Sequence, residues 1–237
     1  MSETPTKAVA GFGIWAATYD QTIADEVQRY MGMPYAQVLR RVWEGLEVGP
    51  GAHILDVGTG TGALALAVAQ QLTEGQVVAI DPTPEMLRRA QEQARRLGLA
   101  DRVEFHCAPA ERMPFPDATF DAVVSSIALH HSQVRDSLRE VARVLKPGGR
   151  LSIADPARNV KWDTPLALLM KPLLGLFYLA KKRSLTIMRA ELDSMKQLFL
   201  KDEWEAMLRE IGLQPLEVVE VPHPTSEWYS SMLFIRA

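Results

Sequence analysis

Apolar and polar positions along this chain alternate in a repeated pattern of strand and helix. Residues 20–46 carry apolar side chains at helical spacing and predict one or two helices, which the sequence GPGA ends. Beyond them, short apolar segments alternate with amphipathic stretches, a pattern typical of parallel strands joined by right-handed crossovers. The predicted strands are 53–57, 76–81, 102–108, 120–126 and 150–155, and the predicted helices are 62–73, 83–98 and 132–145.

Residues 157–200 interrupt this alternation, which then resumes with a helix at 201–212 and strands at 216–223 and 229–237. We therefore predict an α/β fold with a Rossmann-like, doubly wound, mostly parallel seven-stranded sheet. An insertion after the fifth strand lies at the carboxyl edge of the sheet, where such folds bind ligands. The single domain would comprise an N-terminal helical lid (1–48), a ligand-binding core (52–156), a helical substrate cap (157–200) and a C-terminal helix with two strands (201–237).

Composition favours one cytoplasmic domain. The 237 residues, 47% hydrophobic, are enough for one sizeable core. A net charge of −3 lacks the basic excess of nucleic-acid-binding proteins. The single cysteine, Cys107, is expected to pack inside the third strand, and no Cys/His spacing typical of a metal site occurs. The N-terminus lacks the charged-then-apolar layout of a secretory signal.

The longest apolar run, residues 165–180, is shorter than the roughly 20 residues of a membrane-spanning helix. It also contains Lys171 and Pro172, which favours a pair of core helices over a transmembrane segment. Three basic residues follow at 181–183. A peripheral contact with a bilayer or with a lipophilic ligand therefore stays open.

The segment HILDVGTGTG satisfies two nucleotide-binding patterns, one for dinucleotides and one for a nucleoside that carries an amino acid. The carboxylate of Asp56, two positions before Gly58, would repel a pyrophosphate and favour an ammonium group. Asp81 ends the second strand 23 residues after Gly58, near the spacing at which a carboxylate accepts from ribose hydroxyls. A dinucleotide has the ribose hydroxyls but lacks the ammonium group, whereas S-adenosylmethionine has both.

Four segments together resemble the class I S-adenosylmethionine-dependent methyltransferases, in particular the branch of ubiquinone/menaquinone and natural-product enzymes. They are HILDVGTGTG, VVAIDPTPEML, AERMPFPDATFDAVVSSIALHH and VLKPGGRLSIAD. The resemblance covers residues 52–156 and continues loosely over 201–237, and WAATYD at 15–20 is similar to an N-terminal A-x-x-Y-D element of the family. It implies methyl transfer to a small acceptor, with S-adenosylhomocysteine as product.

The resemblance also implies a set of cofactor contacts. Asp56 would lie near the methionine amino group, Asp81 would hold the ribose hydroxyls, and Ala110 would offer its backbone N–H to adenine. The family usually has an aspartate for the adenine amino group where this chain has Pro109, so Glu111 or a backbone carbonyl would take that role, or affinity would fall by about 1 kcal/mol. The other implied contacts are Tyr19 over the cofactor, Gly58, Thr59, Gly60 and Gly62 along methionine and ribose, Pro82 beside adenine, and Ser125 and Ser126 beside methionine.

A candidate general base follows from the strand order. His130 follows the fourth strand and Asp155 ends the fifth, and neighbouring parallel strands would bring both to one crevice. An aspartate-held histidine is suited to removing a proton from an acceptor hydroxyl near neutral pH. Alternatively, His130 or His131 caps the following helix.

The apolar content of 157–200 predicts a hydrophobic or aromatic small-molecule acceptor, methylated on O, N or C. Two alternatives stay open: an S-adenosylmethionine-binding protein that transfers no methyl group, such as a cyclase or a regulator, and a methyltransferase acting on RNA or protein. The sequence does not determine the oligomeric state.

Overall fold

The computed structural model describes residues 19–164, 185 and 192–237, and these residues form an α/β fold around one seven-stranded sheet. The strand order is β3-β2-β1-β4-β5-β7-β6, with β1 to β5 parallel and β7 antiparallel to both of its neighbours. The predicted fold class is confirmed. The elements are α1 Tyr19–Met31, α2 Tyr35–Glu44, β1 His53–Val57, α3 Ala63–Gln71, β2 Gln76–Asp81, α4 Pro84–Arg96, β3 Val103–Cys107, β4 Phe120–Ser126, α5 Val134–Val144, β5 Leu145–Pro156, α6 Lys201–Glu210, β6 Glu217–Val221 and β7 Met232–Arg236.

Helices cover both faces of the sheet because the strand side chains alternate between them. Ile54 of β1 packs with residues of α2 and α3, whereas its neighbour Leu55 packs with residues of α5 and α6. Trp204 of α6 is almost completely buried in the second of these clusters. Strands that are buried on both faces explain why the sequence shows continuous apolar runs at β1, β2 and β4.

The chain changes direction across the sheet between β1 and β4. From β1 it proceeds outward to β2 and β3, and it returns to the other side of β1 to form β4 and β5. The connecting helices leave a crevice at the carboxyl ends of β1 and β4, which is where open α/β sheets bind ligands. Both the glycine loop after β1 and the segment after β4 therefore face this crevice.

Two sequence predictions about local structure were wrong. Strand β5 begins at Leu145 rather than at 150, because Leu145 already pairs with Phe120, and the KPGG segment forms an irregularity before Arg150 pairs with Ala122. Cys107 is exposed rather than packed in the core. It ends β3, which lies at the edge of the sheet, so one side of its strand has no neighbour.

Several predicted segments fall outside the described residues: the first 18 residues and most of the insertion, including the apolar run at 165–180. Within the described residues, none of the helices combines the length and the apolar character that a membrane crossing requires.

Candidate active site

A cavity of about 600 Å³ opens in the crevice at the carboxyl ends of the central strands. The glycine loop, the ends of β2 and β3 and the segment after β4 form its walls, and residues 193–197 close one side. Most of the site residues predicted from sequence meet there, namely Tyr19, Gly58, Gly60, Asp81, Pro82, Ala110, Glu111 and His130. The predicted residues Asp56, Thr59, Gly62, Ser125, Ser126 and Asp155 lie behind this lining rather than in it.

The loop after β1 requires glycine at Gly58. Its φ is +72°, and a Cβ at this position would lie 2.4 Å from the Cβ of Ala128 in the segment after β4. The N–H groups of Gly58 and Thr59 both donate to the carbonyl of Ile80 at 2.9 Å, which fixes the loop against β2. Gly62 then precedes α3 with φ of +88°. The loop thus presents backbone rather than side chains to the cavity.

Asp81 is a carboxylate held rigid at the cavity wall. One oxygen accepts the backbone N–H of Gly60 at 3.0 Å and the other accepts that of Thr83 at 2.8 Å. Burial raises the pKa of this carboxyl, and the two N–H groups oppose that rise. Each carboxylate oxygen has a second acceptor site, so Asp81 can accept further hydrogen bonds from a diol in the cavity.

Asp56 lies directly behind the glycine loop, only 1% exposed. A single carboxylate oxygen accepts both the hydroxyl of Thr59 at 2.7 Å and the N–H of Ala65 at 3.1 Å. Burial raises the pKa of Asp56 to about 7, although both hydrogen bonds oppose the rise. The carboxyl group therefore changes protonation in the neutral range and braces the loop from behind.

Replacing Asp56 with asparagine should make the unliganded protein progressively more stable than the wild type as the pH rises from about 4 to about 7. In that interval the folded wild type keeps a proton that its unfolded chain has lost, so the wild type loses stability while the asparagine variant does not. The amide oxygen can still accept from Thr59 and Ala65. The difference should approach roughly 4 kcal/mol in the free energy of unfolding, measured by urea unfolding at several pH values.

Asp121→Asn is the matched control with the opposite sign. Hydrogen bonds from Lys146 and from the backbone N–H of His53 lower the pKa of Asp121, so its stabilisation is present at neutral pH and is lost in acid. Asp121→Asn should therefore be less stable than the wild type at neutral pH. A free-energy difference for Asp56→Asn that stays constant across the range would contradict the assignment.

Two predicted serines at the end of β4 lie outside the cavity lining. The hydroxyl of Ser125 donates to the carbonyl of Val57 at 2.8 Å and so ties β4 to β1. Ser126 is next to Tyr35 of α2, whose pKa is raised far above its ordinary value by burial and then by the charges of Asp56 and Asp20. Ser125 thus has a clear structural role in joining the two central strands.

The segment after β3 contains Pro109, at the position where the family usually has an aspartate. Glu111 lines the cavity, and one of its carboxylate oxygens accepts the N–H of Gln133 at 2.8 Å, just before α5. Arg143 of α5 holds the rest of the segment through the carbonyls of Met113 and Phe115, at 3.0 and 2.7 Å. The second carboxylate oxygen of Glu111 and the backbone groups around Ala110 therefore both stay candidates for contact with a ligand at this wall.

His130 and Asp155 form a buried pair. Nδ1 of His130 lies 2.8 Å from Oδ1 of Asp155, and the backbone N–H of His130 donates to Oδ2 at 3.1 Å. His130 does not cap the following helix. It belongs to the single turn Leu129–His131, and it lines the cavity. Asp155 is therefore the group that fixes the orientation of the imidazole.

The neighbouring ring of His131 packs against His130 with centroids 4.0 Å apart. Burial, together with the nearby His130, holds the pKa of His131 well below its ordinary value. His131 thus stays neutral across the physiological range. The neutral His131 ring forms part of the cavity wall beside His130.

Sequence reasoning missed the polar side of the cavity, which we call the polar rim. Gln197 and Gln133 contact each other there at 3.4 Å, and Lys196 pairs with Asp193 at 2.7 Å. No motif marks these positions, because they come from two segments that are distant in sequence. The rim consists of Ser132, Gln133, Asp193, Ser194, Lys196 and Gln197.

Comparison with known proteins identifies the core of the chain. A family model described as a methyltransferase domain matches residues 54–149. The 27-O-demethylrifamycin SV methyltransferase of Amycolatopsis mediterranei is 33% identical over 176 residues, covering 74% of this chain and 58% of that protein. The ubiquinone/menaquinone biosynthesis C-methyltransferase UbiE of Escherichia coli is 38% identical over 112 residues, covering 46% of this chain and 45% of that protein.

A solved structure agrees in fold. The geranyl diphosphate C-methyltransferase of Streptomyces coelicolor superimposes with a TM-score of 0.67 at 14% identity, covering 93% of this chain and 84% of that one. This chain spans between about half and three fifths of the length of the two curated relatives. The glycine loop and Asp81 fall within the residues that the family model matches, whereas β6 and β7 lie beyond them. By these matches, residues 54–149 form a methyltransferase domain.

Proposed function

We propose that the protein transfers the methyl group of S-adenosylmethionine to a hydroxyl oxygen of a small molecule, with His130 as the general base. The observation that carries this proposal is the His130–Asp155 pair at 2.8 Å, whose imidazole shares one cavity with the glycine loop and Asp81. A methyl donor on the loop and a base in the same cavity are what hydroxyl methylation requires.

The residues present fit such a cofactor. Gly60 leaves the loop open to the cavity, Asp81 offers acceptor sites for ribose hydroxyls, and Pro82 and Met86 supply apolar walls for adenine. Asp56 lies behind the loop, where the charge of a bound cationic ligand would favour its ionised form. The cofactor supplies an activated methyl group, and the protein must hold the acceptor in line with it, which contributes roughly 7–11 kcal/mol.

Proton transfer completes the reaction. Because Nδ1 of His130 donates to Asp155, Nε2 is the nitrogen that takes a proton. The bound cofactor would supply its methyl group to the acceptor oxygen and would keep the electron pair of the carbon–sulfur bond on sulfur. The hydroxyl proton moves to Nε2, where the nearby carboxylate stabilises the resulting imidazolium.

The polar rim favours an acceptor that bears hydroxyl or carbonyl groups. Its amides, hydroxyls and paired charges can both donate to and accept from a neutral polar ligand. The Amycolatopsis relative is named for an O-demethylated natural product, which agrees with a hydroxyl acceptor. The expected apolar contacts depend on residues 165–180, outside the described residues, and that part stays a prediction.

Thermal denaturation with S-adenosylmethionine, S-adenosylhomocysteine and NAD tests the proposal. A ligand at a hundred times its dissociation constant stabilises the folded protein by about 2.7 kcal/mol. The first two compounds should raise Tm and NAD should not. Incubation of the loaded protein with a panel of hydroxylated natural products should then release S-adenosylhomocysteine.

Three other results would assign another role. Stabilisation by NAD alone would remove the methyltransferase proposal, and binding without turnover of any acceptor would favour a cyclase or regulator. Turnover with bulk RNA or protein would replace the small-molecule acceptor.

A further inference from the structure

Helix α1 begins directly above the glycine loop. Its first residue, Tyr19, lines the cavity, and a Cβ placed on Gly60 would lie 3.8 Å from Cε1 of the Tyr19 ring. The aromatic ring therefore covers the loop at the position where the loop presents its backbone. A ligand on this loop would lie beneath Tyr19.

The next residue, Asp20, connects three parts of the molecule. One carboxylate oxygen accepts the hydroxyl of Thr61 at 2.5 Å, and the other accepts the side-chain amide of Gln93 at 2.9 Å. Thr61 lies in the glycine loop and is only 2% exposed, while Gln93 lies on α4. A single side chain thus fastens the start of α1 to the loop and to the helix that follows β2.

Both packing and hydrogen bonds hold the first turn of α1, where the half-buried ring of Tyr19 packs against the core. The first buried side chain of the helix is Ile23, one turn further along, and the next is Val27. Packing therefore fixes the body of the helix and contacts the ring of Tyr19, and the two hydrogen bonds of Asp20 add directional contacts at its beginning. Hydrogen bonds to a charged acceptor are stronger than those between neutral groups.

We propose that Asp20 is a positioning residue for the cofactor: it holds Tyr19 over the glycine loop, so that the bound ligand leaves slowly. The inference rests on the proposed binding of S-adenosylmethionine to this loop. Because the Tyr19 ring is ordered before the ligand arrives, binding does not include the entropic cost of ordering it. Asp20 itself touches the loop and α4 rather than the cavity.

Binding of S-adenosylhomocysteine to Asp20 variants tests the proposal. Asp20→Ala should weaken binding about tenfold in calorimetry, mainly through faster dissociation in stopped-flow displacement. Asp20→Asn should retain most of the affinity, because its amide can accept from Thr61 and donate to a rotated Gln93. Asp25→Ala, an exposed change on the same helix, is the matched control and should bind like the wild type.

The dependence on Tyr19 separates positioning from general destabilisation. If Asp20 acts through Tyr19, Asp20→Ala should add no further loss of affinity to a Tyr19→Ala protein. Additive losses would overturn the proposal, and so would an Asp20→Ala protein that binds like the wild type. Failure of the wild type itself to bind S-adenosylhomocysteine would instead refute the proposed function.

Discussion

Replacing His130 with alanine should lower kcat for a hydroxyl acceptor by roughly a hundredfold to ten-thousandfold, the usual contribution of a general base. His130 is the residue whose imidazole lies in the cavity and bonds to a buried carboxylate. The hydroxyl would then have to transfer its proton to water. Affinity for S-adenosylhomocysteine should change little, because His130 is not among the predicted cofactor contacts.

Asp155→Asn should also lower kcat for a hydroxyl acceptor, although it leaves the imidazole in place. Its oxygen must keep accepting the backbone N–H of His130, which leaves the amide NH₂ facing Nδ1. That arrangement places the ring proton on Nε2 of His130, so Nε2 can no longer accept the proton of the acceptor hydroxyl. Turnover measured with saturating S-adenosylmethionine and a fixed acceptor compares the two variants.

Two measurements distinguish a base from a structural residue. Added imidazole should partly restore turnover in the His130→Ala protein, because the vacated space lies in the cavity. Turnover by the wild type should fall in acid as the base becomes protonated, and this fall should be absent from the residual activity of the variant. A loss below tenfold, or an equal loss of cofactor affinity, would show that His130 only shapes the cavity.

The sequence predicted that the glycine loop and Asp81 lie together because short-range patterns determine these positions. Gly58 must be glycine for the loop to approach Ala128, and Asp81 ends a strand beside that loop. The pairing of His130 with Asp155 followed from strand order alone, since β4 and β5 are parallel neighbours. Each of these features depends on residues within one strand–loop–helix unit or on adjacent strands.

The remaining features depend on contacts between distant segments, which one sequence does not reveal. The hydrogen bond that Glu111 accepts from the N–H of Gln133 across the cavity wall was not predicted. The polar rim combines the start of α5 with residues 193–197, and Asp20 meets Thr61 from a separate helix. Polar side chains at such positions have no periodicity that would indicate their partners.

Replacing Asp81 with asparagine should weaken binding of S-adenosylhomocysteine by roughly ten- to a hundredfold, a loss that corresponds to about 1.4–3 kcal/mol. The wild-type carboxylate accepts from Gly60 and Thr83 and still has acceptor sites for a ribose diol. Asparagine has one acceptor oxygen, and its NH₂ would face a backbone N–H group. Both the loop brace and the ribose contact would therefore be weakened.

A ligand that lacks one ribose hydroxyl separates these two causes. The wild type should bind 2′-deoxy-S-adenosylhomocysteine more weakly than S-adenosylhomocysteine, whereas Asp81→Asn should hardly distinguish the two, because the partner of that hydroxyl is impaired. Calorimetry of both ligands with both proteins completes the cycle, and Asp121→Asn, at the opposite end of β4 from the cavity, serves as the control. If the variant discriminates between the ligands as strongly as the wild type, Asp81 braces the loop and another group holds the ribose.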